Sequence, residues 1–156
     1  MNLDLFVMAD ELKAALDEAK AEAKAVFENK KATQEEVDAA VEKLSNLIVS
    51  LPTKDGNMAY SAAVSTSYVS SWEKLEAVRD GKVPANSYNP SGPRYGTWGN
   101  ESGEETVTYT WNTPIKLQSA DIYFWYDGEE NKPTSGGIQI PKEYYYEYLD
   151  ADGNWQ

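Results

Sequence analysis

The sequence predicts an α+β chain of two unlike modules, a helical hairpin followed by an antiparallel β-sandwich or jelly roll. Three observations carry this expectation. Residues 1–54 contain no Gly, Tyr or Trp and only two aromatics, Phe6 and Phe27, whereas residues 55–156 contain every Gly, Tyr and Trp of the chain. Apolar residues in the first part recur at spacings of three and four, one face of a helix. In the second part, Ile122, Phe124 and Tyr126 alternate with Asp121, Tyr123 and Trp125, the period of a strand.

The first helix is expected over about residues 4–29, with its stripe made by Leu5, Met8, Leu12, Leu16, Ala19, Ala23, Val26 and Phe27. Residues 29–32 read as a turn. Thr33-Gln34-Glu35-Glu36 is a capping box, in which Thr33 and Glu36 satisfy each other's free backbone N–H groups. The second stripe is Val37, Val41, Leu44, Ile48 and Leu51, with Ala40 and Leu47 beside it, and Pro52 ends the helix. Two such stripes cannot bury each other completely, so a third surface is implied: another helix, the β module or a second chain. The charged residues of the hairpin read as a solvated face, not as a catalytic set.

In residues 55–156, strands are expected at 59–64, 105–111, 120–126 and 144–149, separated by Gly, Pro, Asn and Asp. A long connection over residues 68–103 starts with a short helical piece at 72–78 and continues through Tyr88, Asn89, Pro90, Arg94, Tyr95 and Trp98. Its aromatic content argues for an ordered, functional loop.

Composition excludes several functions. The chain of 156 residues has 14 basic and 26 acidic residues, a net charge of −12, which repels phosphate backbones and anionic membranes. Nucleic acid and membrane insertion are therefore not expected as partners. No Cys or His is present, so thiolate sites, the common zinc sites and His-activated nucleophiles are absent. Glu104-Glu105 and Glu129-Glu130 sit as adjacent residues, which point to opposite faces of a strand and do not converge across a bound sugar. No enzyme activity is expected of this chain. Asp150-Ala151-Asp152-Gly153-Asn154 lacks the spacing and distal Glu of an EF-hand loop and reads as a hairpin turn. Asn100-Glu101-Ser102 is a glycosylation sequon.

Two resemblances add to this reading. Asn29-Lys30-Lys31-Ala32-Thr33-Gln34-Glu35-Glu36-Val37-Asp38-Ala39-Ala40, with Leu44 and Leu51 following, resembles the FIVAR repeat, a three-helix spacer of bacterial surface proteins and secreted glycosidases. The family's first helix has no counterpart here. Residues 1–54 then read as a partial three-helix module, with a bare apolar face around Leu5, Phe6 and Met8. Ser67-Tyr68-Val69-Ser70-Ser71-Trp72-Glu73, Asp80-Gly81, Tyr95-Gly96-Thr97-Trp98, Thr108-Tyr109-Thr110-Trp111, Ile122-Tyr123-Phe124-Trp125-Tyr126-Asp127-Gly128 and Gly136-Gly137-Ile138-Gln139-Ile140-Pro141-Lys142 together resemble the galactose-binding-like jelly roll, the coagulation factor 5/8 type C or discoidin superfamily. Within it they are similar to family 32 carbohydrate-binding modules of bacterial glycoside hydrolases. Domains of that family continue for several strands past a hairpin like that at 148–155, so a C-terminally truncated sandwich over residues 55–156 is the expectation.

The resemblance implies an extracellular or cell-surface, non-catalytic carbohydrate-binding accessory module, with a glycan and the neighbouring domains of a glycoside hydrolase as partners. Sugar recognition needs flat apolar faces for C–H groups and fixed polar groups for hydroxyls. Arg94, Tyr95 and Trp98 supply both from one loop. Tyr126 and Asp127 would add a wall and an acceptor from a strand end. Trp72 reads as a staple of the short helix or a second platform, Trp98 either as a platform or as a core aromatic anchoring the loop, and Trp111 as a core aromatic. Relatives hold a structural calcium in a loop opening with Asp-Gly, which would make Asp80 a ligand; the other reading of Asp80-Gly81 is a simple turn. No cofactor is required. The rival function is architectural, a module that packs on a catalytic neighbour and binds no ligand.

Overall fold

The structure, a computed structural model, describes residues 3–88, 91–100 and 103–156. Among them are two helices, α1 (Asp10–Glu28) and α2 (Gln34–Ser50), and one antiparallel pair of strands, β1 (Ala63–Thr66) and β2 (Val107–Thr110). The chain divides into two compact units. One comprises Met1–Val83 and Gly92–Ile122, the other Pro84–Ser91 and Tyr123–Gln156.

The hairpin forms as expected. Thr33 Oγ1 accepts from Glu36 N at 3.2 Å, and Glu36 Oε2 accepts from Thr33 N at 2.8 Å, so the capping box closes in both directions. α1 packs along α2, and Lys43 Nζ reaches across to Glu22 Oε2 at 2.5 Å. That bond, first, and the nearby carboxylates hold the Lys43 ammonium above its ordinary pKa.

The N-terminal segment departs from the expected continuous helix. A 3-10 turn, Leu3–Leu5, leads into an extended strap. Val7 N donates to Pro52 O at 2.7 Å and Lys54 N to Leu5 O at 2.9 Å, with Phe6 bridged to Thr53. The apolar face around Leu5, Phe6 and Met8 is covered, not bare. Phe6 is 2% exposed and forms the core with Leu16, Leu51 and Tyr60, while Leu5 and Met8 pack against it. The third surface that the hairpin needs thus comes from the chain itself, as the strap and the 3-10 turn Met58–Ser61. Phe27, near the end of α1, and Val41, in the middle of α2, remain exposed.

Tyr60 also receives a polar anchor. Its hydroxyl donates to Asp55 Oδ2 at 2.5 Å. This bond, with one from Asn57 N, holds the Asp55 carboxyl below the ordinary carboxylate range. Burial, then the Asp55 charge, pushes the Tyr60 hydroxyl upward.

β1 pairs with β2 in the register Ala63↔Thr110 to Thr66↔Val107. β2 lies inside the expected strand 105–111. β1 begins four residues later than the expected start at 59, because residues 58–61 turn to place Tyr60 in the core. Residues 120–126 and 144–149 do not join a sheet among the described residues. The architecture is mixed helix plus sheet, with two strands paired. In the second unit, Leu149 bridges Trp155 in a small hairpin, and Tyr148 and Gln156 exchange backbone hydrogen bonds at 3.1 and 3.0 Å. Asp150 Oδ1 accepts from Asp152 N and Asn154 N, so the acidic run there is a hairpin turn, with Gly153 at φ 81°. The bond from Asn154, first among its partners, depresses the Asp150 pKa.

Candidate functional site: two exposed indoles on tied turns

The segment carrying Arg94, Tyr95 and Trp98 is fastened to the turn at 70–74. Ser70 N donates to Gly96 O at 3.1 Å and Lys74 N to Arg94 O at 2.9 Å. The turn at 70–74 is itself closed by Glu73 N donating to Ser70 O at 3.2 Å. Beyond Gly96, Asn100 N donates to Thr97 O at 3.0 Å, and Gly99, at φ 85°, lets the chain reverse just after Trp98. The result is a pair of short turns tied by backbone hydrogen bonds, a rigid mount for side chains.

On that mount the aromatics have different fates. Trp98 is 52% exposed and Trp72 is 80% exposed. Tyr95 is half-buried. Its hydroxyl lies 2.7 Å from Thr66 Oγ1 and donates to Tyr68 O at 3.0 Å, which ties the segment to the end of β1. Burial is the main cause that raises its pKa. Arg94 is half-buried. Glu73 is 8% exposed, and its Oε2 has no hydrogen-bond partner among the described residues. A buried acceptor left unpaired is costly, which sets Glu73 apart from the solvated acids.

Trp111, expected as a core aromatic, is half-buried and lies outside the hydrophobic core cluster. Its indole N–H donates to Met58 O at 3.1 Å, and its ring stacks on Tyr109 at 6.3 Å and 18°. Tyr109 in turn donates to Val78 O at 2.7 Å, and burial pushes its hydroxyl pKa up.

Tyr126 and Asp127 belong to the second unit. Tyr126 is 6% exposed. Its ring lies 5.9 Å from that of Tyr88, and its hydroxyl accepts from Asn131 N at 2.9 Å. Asp127 closes the loop to Ile138 twice: its N–H donates to Ile138 O at 3.2 Å, and its Oδ1 accepts from Ile138 N at 2.6 Å. Both side chains therefore hold their own loop. Arg94, Tyr95 and Trp98 lie together in the first unit, and these two do not join them there.

Asp80 Oδ1 accepts from Lys82 N at 2.9 Å, its Oδ2 lies 3.9 Å from Lys82 Nζ, and Gly81 adopts φ 75°. This is the geometry of a side-chain-capped turn. Among the described residues no group of three or more His, Cys, Asp or Glu side chains comes together. At least one member of each acidic pair is engaged: Glu105 accepts from Ser67 Oγ and Glu129 pairs with Lys132. Of the sequon, Glu101 and Ser102 lie outside the described residues, as do Asn89 and Pro90 of the loop.

Glu73 was not legible as a site residue. In a helical piece over 72–78 it would face solvent beside Lys74. The observed 3-10 helix starts only at Leu75, which leaves Glu73 in the preceding turn and inside.

No protein-family model matches this chain, and no solved structure matches it. No helix among the described residues is long and apolar enough to cross a membrane.

Proposed function

We propose that this chain is a non-catalytic carbohydrate-binding module of a secreted or cell-surface bacterial glycoside hydrolase, with residues 1–54 serving as its helical spacer. The observation that carries the reading is the pair of exposed indoles, Trp72 and Trp98, on turns tied by the Ser70–Gly96 and Lys74–Arg94 hydrogen bonds. An exposed indole on a fixed turn costs a soluble chain apolar surface, and stacking on the C–H face of a pyranose recovers it. Trp98 and Trp72 are the platforms in this proposal, and Arg94 is a hydroxyl donor. Tyr95 sets the loop, while Tyr126 and Asp127 support a separate one. The β1–β2 pair is proposed as part of a galactose-binding-like jelly roll, and Asp80 as the residue at which a structural calcium would bind. The module positions glycan for a catalytic neighbour and performs no bond cleavage itself.

Affinity is expected to be weak, since an open surface buries little of a sugar. A glycan array, followed by titration of the ligands found, tests the reading. Binding that Trp98→Ala weakens with an unchanged fold supports it, and absence of binding to any glycan contradicts it.

The architectural alternative draws on a different observation. The Tyr126 ring and the Asp127 carboxylate, both candidate sugar contacts, are engaged within their own loop. Under that alternative the exposed indoles pack on a neighbouring domain, and no glycan competes for them.

A further inference from the structure

Where α2 approaches the two strands, the first unit leaves a cleft of about 270 Å³. At about 30 Å³ per water it has room for roughly nine waters, or a ligand of about ten non-hydrogen atoms. Ile48 and Val49 from α2, Ala62 and Ala63 at the start of β1, and Trp111 after β2 form its apolar walls. Trp111 is fixed there by its bond to Met58 O and its stack on Tyr109.

Among the described residues, the one charged side chain lining the cleft is Arg79. Its Nε and Nη2 lie 3.0 and 2.9 Å from Glu76 Oε2, and its Nη1 donates to Ala62 O. A guanidinium carries five N–H donors, so these contacts leave two. The partners differ sharply in exposure: the Arg79 side chain is 18% exposed and that of Glu76 is 68% exposed. An ion pair with one end in solvent is weak and readily exchanged, whereas a carboxylate held on a covered guanidinium gains charge-assisted, directional bonds.

We infer that this cleft binds a small amphiphilic carboxylate. Its acid group takes the place of Glu76 on Arg79, and its ring or short chain lies against Ile48, Val49 and Trp111. A cation is disfavoured by Arg79. Ser45, Ser61, Thr110 and Asn112 also line the cleft and offer partners to a neutral ligand's hydroxyls, so the preference for a carboxylate rests on the charge-assisted bonds of the Arg79 guanidinium. The net charge of −12 opposes an anion at long range, but that field is screened within about 10 Å at ordinary salt. The inference goes beyond the glycan reading and uses none of residues 70–74 or 94–98, so either can fail without the other.

The test is a titration of the full chain with benzoate and with hexanoate, benzamide serving as the neutral control, followed by nitrogen–proton correlation NMR. The Trp111 indole N–H and the amides of Val49 and Ala63 report on the cleft. Saturable shifts confined to those signals are expected, with a benzoate Kd of about 0.1–10 mM and benzamide about ten-fold weaker. Ala63→Phe, which fills the cleft, abolishes the shifts. Arg79→Lys, which keeps the charge and loses the fork, weakens benzoate. Glu76→Gln removes the competitor and tightens benzoate by about three- to ten-fold. Because Glu76 is solvent-exposed, that variant keeps the inference falsifiable even if Arg79→Lys unfolds. Shifts that do not saturate or centre elsewhere, benzamide binding as tightly as benzoate, or a Glu76→Gln chain that binds no tighter would each overturn it.

Discussion

The Phe6 ring meets the Tyr60 ring edge-on, with centroids 6.4 Å apart and planes at 74°. This contact joins the N-terminal strap to the turn before β1, and through Leu16 and Leu51 to α1 and to the C-terminal end of α2. Phe6→Ala is expected to destabilise the first unit by about 3–5 kcal/mol. Phe27→Ala, at an exposed site near the C-terminal end of α1, should stay within about 0.5 kcal/mol. Thermal melts of the two variants check this, and equal melting temperatures would show that the strap contributes nothing.

Thr33→Ala removes one half of the capping box and should cost about 1 kcal/mol. Its readout is a lower melting temperature together with faster amide exchange in the first turn of α2. Unchanged exchange at Glu36 N would mean that the cap is not formed in solution.

The hairpin was legible because its signals are local. Apolar spacings of three and four, a Thr33-to-Glu36 box and a terminating Pro52 act within a few residues of one another. The strap was not legible. Leu5 and Met8 continue the helical spacing of α1, and only pairing with residues 52–54, far along the chain, draws them into an extended path. Strand pairing shows the same limit. Val107–Thr110 found a partner in Ala63–Thr66, yet of the clean alternation of 120–126 only Tyr126 makes a bridge among the described residues, to Tyr88, because alternation specifies a face and not the strand that will cover it. At the candidate site the Gly-rich turn was legible. The tyrosines were harder to assign: whether a ring stacks on a guest or fills its own loop depends on neighbours such as Thr66 for Tyr95 and Tyr88 for Tyr126, and no local pattern encodes these.

The pH dependence has two limbs. Asp55 and Asp150 have folded pKa values below the unfolded ones. Their contribution is complete above the ordinary carboxylate value of about 4 and is lost as pH falls through the depressed values. Tyr60, Tyr95 and Tyr109 have folded pKa values above the unfolded one. Their contribution is complete below about pH 10 and is lost as pH rises through the raised values. Denaturant titrations across pH should therefore show stability falling on each side, with Asp55→Asn flattening the acid limb and Tyr109→Phe the alkaline one. A curve left unchanged by both substitutions would refute the assignment.

Gly136 sits against the clamp between Asp127 and Ile138. A Cβ there would fall 2.2 Å from Asp127 Oδ1 and 2.3 Å from Asp127 O. Gly136→Ala should open this loop, at a cost of about 1–3 kcal/mol, and make residues 128–137 susceptible to limited proteolysis. An Ala variant as resistant as the parent would show that the Asp127 clamp is not what orders the loop.

The account stands most directly on one measurement, titration of the full chain with the glycan that an array selects, read by tryptophan fluorescence. The account predicts a saturable change that Trp98→Ala weakens about ten-fold or more and that the Trp72→Ala, Trp98→Ala double variant abolishes, with melting temperatures preserved. A double variant that still binds with the parent's affinity would contradict it.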